Sequence, residues 1–88
     1  MTKSPSSSPP LRQILGINIR LERVRQRLTQ EALAAAAETN QNYISEIERG
    51  ISAPTVDVIE KVARALDVPA SDLFDETMGK RPPRSTRG

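Results

Sequence analysis

Within residues 40–50, NQNYISEIERG, one helix face would bring two amides, a hydroxyl, a carboxylate and a guanidinium close together. At about 100° per residue, Gln41, Asn42, Ser45, Glu46 and Arg49 fall on one side of a helix, with Ile44 and Ile47 on the other. Amides pair with base edges, hydroxyls with bases or phosphates, and guanidinium groups with phosphates. This is the chemistry of recognition rather than of bond breaking. The chain has no His and no Cys. It shows no glycine-rich phosphate loop and no nucleophile–base pair, so nothing points to an enzyme, a metal site or a cofactor.

The elements that must hold this face are legible as periodicity and caps. Asn40 is placed to cap the helix and Gly50 to end it in a left-handed conformation. Ahead of it, Thr29 opens TQEALAAAA, with Gln30 and Glu31 in the first turn and Leu33 and the alanines forming a short, close-packing helix. Residues 29–50 therefore read as helix, three-residue turn at Glu38–Thr39–Asn40, and helix. A first helix is predicted over about 11–27. Ile14, Ile17, Leu21, Val24 and Leu28 make one apolar stripe, and Leu11, Leu15 and Ile19 another. Arg20, Arg23 and Arg27 share a third side. Thr55 caps a fourth helix in which Val56, Ile59, Val62, Ala63 and Leu66 share a face. Asp67–Val68–Pro69 breaks it, and Ser71–Phe74 forms a last turn with Phe74 as a core lid. No alternating strand pattern or internal repeat occurs, so the class is all-α with five short helices.

Eighty-eight residues allow one domain. Residues 1–10 are rich in Ser and Pro, and residues 79–88 hold four basic residues and two prolines. Neither segment can bury an apolar face, so both are expected to be disordered tails around a domain at 11–78. The net charge of +2 comes from the tails: between 11 and 78 there are eight Lys/Arg against eleven Asp/Glu, a balance of −3. Bulk charge gives no support to a nucleic-acid partner, and only local placement can. The sequence carries no signal sequence and no apolar run of membrane length, so the expectation is a soluble cytoplasmic protein with no membrane contact.

Two short helices joined by a tight turn form a helix-turn-helix, whose second helix fits the major groove while the first holds it in place. LTQEALAAAAETNQNYISEIERG (28–50) closely resembles the phage repressor/Cro type of this motif, the XRE family. LGINIR (15–20), Pro54, VARALDV and the closing LF extend the resemblance over roughly 15–74. It implies a compact five-helix, lambda-repressor-like DNA-binding domain, usually a homodimer on a near-palindromic double-stranded operator. One departure is Glu38, where the family usually has Gly. Either Glu38 adopts a positive φ, at a cost of about 1 kcal/mol or more, or the turn has another shape.

The resemblance also implies roles. Gln41 and Asn42, at the start of the helix over about 40–49, would read bases, with Ser45 and Glu46 beside them. Glu46 would accept from a cytosine amino group or repel phosphate. Gln30 would clamp a phosphate and brace a reading residue. Tyr43, Arg49 and Asn40 would touch phosphates, the last also capping its helix. Arg23 and Glu48 match a buried structural ion pair. Polar residues are usual where this chain has Ile17 and Leu21. With Ile14 they form a candidate surface for a protein partner or a second subunit. A more usual dimer surface would lie around Val58, Leu73 and Phe74. The reading is a transcriptional regulator acting by occupancy as a restriction controller, a plasmid or phage repressor, or an antitoxin. The alternative is a protein-interaction adaptor, or an antitoxin-like partner protein, on the same fold.

Overall fold

The computed structural model describes residues 9–77 of the 88-residue chain. The expected tails fall almost wholly outside these residues. Four α-helices, α1 (Leu11–Arg25), α2 (Gln30–Ala36), α3 (Gln41–Glu48) and α4 (Val56–Leu66), are followed by a 3-10 turn at Ala70–Phe74. No strand occurs among the described residues. The fifth helix of the sequence reading is thus the 3-10 turn, and the class is all-α.

The helix starts follow from short polar side chains that reach free N–H groups. Thr29 Oγ1 accepts from the Ala32 N–H at 2.9 Å, Asn40 Oδ1 from Tyr43 at 2.9 Å, and Thr55 Oγ1 from Val58 at 3.2 Å. The helix ends share one device. After each helix a residue with positive φ turns the chain, and two N–H groups reach back to carbonyls of the last turn. For α3 these are Gly50 to Ile47 O at 3.0 Å and Ile51 to Glu46 O at 2.9 Å. For α2 they are Glu38 to Ala35 O at 3.2 Å and Thr39 to Ala34 O at 2.8 Å. The same pattern closes α1 at Arg27 and α4 at Asp67. Each is a Schellman motif, but only Gly50 (φ +75°) suits it. Arg27, Glu38 and Asp67 adopt φ of 60°, 62° and 59° with a Cβ in place. Glu38 therefore accepts the left-handed conformation in place of the family's Gly. The end of α1 at Arg25 also removes Arg27 from the helical face expected to hold Arg20 and Arg23.

The core gathers Leu15 and Ile19 of α1, Leu33 and Ala34 of α2, Ile44 and Ile47 of α3, Val62, Ala63 and Leu66 of α4, and Leu73 of the final turn. Ala37 joins them at the end of α2, whereas Ala35 and Ala36 face solvent. Phe74 and Tyr43 are half-buried against this cluster. Val56, grouped above with the buried face of α4, is instead exposed, because it lies in the first turn beyond the reach of the other helices. Leu73 is fully buried and offers no dimer surface, since α1 covers the 3-10 turn.

Two polar or small residues of α1 fix its neighbours. A Cβ on Gly16 would lie 2.3 Å from Ile47 O and 2.8 Å from Glu48 O, so α1 and α3 meet backbone to backbone there. Asn18 is buried, and its Nδ2 donates to Leu73 O at 3.0 Å and Asp75 O at 2.9 Å, with a longer contact to Asp72 O at 3.4 Å. Carbonyls of the final turn that would otherwise lose their partners on burial are satisfied by this one amide.

Candidate nucleic-acid interface

The polar face of α3 stands on two buried isoleucines. Ile44 and Ile47 are fully enclosed, which turns Gln41, Asn42 and Arg49 to solvent and leaves Ser45, Glu46 and Tyr43 half-buried at the edges. The sequence-derived set therefore shares one surface, but its members are held differently. Gln41 and Arg49 are exposed, and their side chains make no hydrogen bond or ion pair among the described residues. Asn40 uses its carboxamide oxygen as the α3 cap and keeps its N–H groups. Glu46 is not a free carboxylate. Its Oε1 accepts from Ser52 Oγ at 3.0 Å and its Oε2 from Asn42 Nδ2 at 3.4 Å.

Beneath this face lies a second network. Arg23 Nε donates to Glu48 Oε2 at 2.6 Å and Nη2 to Oε1 at 3.1 Å, a two-point contact with the side chains 12% and 3% exposed. Arg23 Nη1 also donates to Leu28 O at 2.7 Å, in the turn that ends α1. Gln30 Nε2 donates to Glu48 Oε1 at 3.0 Å. One carboxylate thus ties α1, the start of α2 and the end of α3 together. Gln30 braces this ion pair rather than a residue of the polar face, and the remaining N–H of its amide stays available at the N-terminal end of α2.

The surface considered for a protein partner is altered. Ile14 is buried at 6% exposure and presents little to a partner. Ile17 and Val24 are more than half exposed, and Leu21 is half-buried between them. They line a groove with Arg20, Arg25 and Glu48.

A helix packed across the start of a second, exposed and polar helix is the arrangement of a helix-turn-helix. The HTH_3 helix-turn-helix family model matches residues 19–73. The chain belongs to the XRE-type helix-turn-helix family. It is a DNA-binding transcriptional regulator of that family. Control protein C.BamHI of Bacillus amyloliquefaciens is 38% identical over 68 residues, covering 76% of this chain and 84% of the relative. The HTH-type transcriptional regulator SlrR of Bacillus subtilis is 39% identical over 67 residues, covering 74% of this chain but 44% of SlrR. Among solved structures, the restriction-modification controller protein C.AhdI of Aeromonas hydrophila superposes with a TM-score of 0.70 at 32% identity, over 72% of this chain and 96% of that one. The clp gene regulator ClgR of Corynebacterium glutamicum gives 0.75 at 32% identity, over 82% and 77%.

Within this helix-turn-helix, sequence reasoning passed over Ser52, Asn18 and Gly16. A partial signal for Ser52 exists: in a glycine-ended helix the residue after the glycine folds back over the last turn, here Ile51 onto Glu46 O, and Ser52 follows it to the Glu46 side chain. No described helix is long and apolar enough to cross a membrane.

Proposed function

We propose that the protein is a sequence-specific regulator of the restriction-modification controller type. It would bind a near-palindromic double-stranded operator as a homodimer, in the cytoplasm. The observation that carries this reading is the exposed polar face of α3, with Gln41, Asn42 and Ser45 raised on buried Ile44 and Ile47. Similarity to C.BamHI and C.AhdI over most of the chain supports the controller class. Helix α3 enters the major groove, where Gln41 and Asn42 match the donor–acceptor edge of adenine and Ser45 contacts a base or phosphate. Gln30, Asn40, Tyr43 and Arg49 fix the register on phosphates. Two copies set two reading helices about 34 Å apart, in successive grooves. The mechanism is occupancy, which blocks polymerase or assists it from a neighbouring site.

Selection of sites from random duplex DNA tests this, with native protein set against Gln41→Ala/Asn42→Ala. An inverted repeat whose half-site preference relaxes in the variant is expected. Binding should also weaken steeply with salt. Folded native protein that enriches no sequence at low salt overturns the reading.

The partly exposed Ile17–Leu21–Val24 row supports a second reading, a role in binding protein. Arg20 on the rim of the groove makes no ion pair among the described residues, which favours an acid-flanked amphipathic helix as the occupant. Leu21→Glu that leaves folding, oligomeric state and partner binding unchanged removes it.

A further inference from the structure

The carboxylate of Glu46 lies on the reading face, yet both its oxygens are engaged from within the chain. The turn that ends α3 sets this up. Gly50 reverses the chain, and the N–H groups of Ile51 and Ser52 donate to Glu46 O at 2.9 and 3.3 Å. Ser52 is thereby held over the last turn of α3, and its hydroxyl donates to Glu46 Oε1 at 3.0 Å. The other oxygen, Oε2, points one turn back along the helix to Asn42 Nδ2 at 3.4 Å. Ser52 grips both the main chain and the side chain of Glu46.

We infer that Ser52 and Glu46 are positioning residues that fix the carboxamide of Asn42 for adenine. The inference rests on the operator-binding reading above and deepens it. A carboxylate only accepts hydrogen bonds, so it selects the NH2 side of the amide and dictates which way the group faces. One N–H is used on Glu46. The oxygen and the second N–H remain, as a planar acceptor–donor pair that matches N6 and N7 of adenine. Without the carboxylate the amide turns over freely, and the order of donor and acceptor is no longer set. Glu46 acts through Asn42, not on a base of its own.

The experiment is site selection with native protein, Asn42→Ala, Glu46→Gln, Ser52→Ala and Ser52→Thr, each checked for native-like thermal unfolding. Asn42→Ala identifies the half-site position that Asn42 reads. Glu46→Gln should reduce adenine preference at that same position about tenfold, within the range for a lost bidentate contact, and leave other positions as they are. Ser52→Ala should act in the same direction more weakly, and Ser52→Thr, which keeps the hydroxyl, should retain the preference. In the free protein, the side-chain amide resonances of Asn42 should shift in Glu46→Gln and Ser52→Ala.

A change in Glu46→Gln at a different position overturns the inference, since Glu46 then reads a base directly. A uniform loss of affinity with unchanged preference overturns it too. If native protein selects a site and Asn42→Ala relaxes it while Glu46→Gln does not, only the positioning role fails. If native protein selects no site, the operator reading fails and takes this inference with it.

Discussion

Two glutamates on α3, Glu46 and Glu48, each gather a small polar network, and the networks have opposite surroundings. Glu48 is enclosed, meets a guanidinium at two points and takes a third bond from Gln30. Glu46 is half-exposed and meets only a hydroxyl and an amide. Two residues of helix rotate one carboxylate inward and the other outward. The inner one is bound to the fold, because removing a partner leaves a charge buried with nothing to answer it. The outer one has water as an alternative partner, so its bonds decide where a side chain points rather than whether the domain folds.

Glu48→Ala breaks that contrast most sharply. It should cost about 3–5 kcal/mol of stability by urea unfolding. Arg23→Ala should cost a similar amount, and the double variant should cost much less than the two combined. Gly16→Ala is next. Its Cβ would press on Ile47 O and Glu48 O, pushing α3 from α1 and loosening the inner network, at about 2–3 kcal/mol in the same measurement. The caps sharpen the comparison in opposite directions. Gly50→Ala strains the turn that carries Ser52 and should lose about 1 kcal/mol, whereas Glu38→Gly relieves the same conformation at the end of α2 and should gain about 1 kcal/mol. The exposed Glu38–Lys61 contact at 3.3 Å offsets this gain only slightly. The smallest effect belongs to Glu46→Ala, expected to shift stability by less than about 1 kcal/mol.

The caps at Thr29, Asn40 and Thr55 and the closing Gly50 were legible because each works through neighbours in sequence. Local chemistry also showed that Ile44 and Ile47 would turn the polar face outward. The first helix was less readable. Periodicity groups Leu15 with Ile19 and Ile17 with Leu21, but it does not say which stripe finds a partner, and here the second is left partly in solvent. Glu38 was flagged without its conformation being decided, since tertiary packing of α2 against α3 settles whether the left-handed turn is tolerated. Asn18 gave no signal at all. A buried amide is recognisable only once the carbonyls it serves are known, and these lie 54 to 57 residues away in the chain.

That separation bears on the order in which the chain assembles. The contacts between α2 and α3 join adjacent segments, and their loop closes at little entropic cost. The amide of Asn18 closes nearly the whole domain, from the middle of α1 to the 3-10 turn, and closure of so long a loop carries the larger entropy. Its bonds are therefore expected to form late, after the helix-turn-helix is in place. An interaction absent from the folding transition state governs how quickly the native state comes apart. In Asn18→Ala the unfolding rate should rise while the folding rate stays close to native, so the buried amide acts as a latch on the lifetime of the fold.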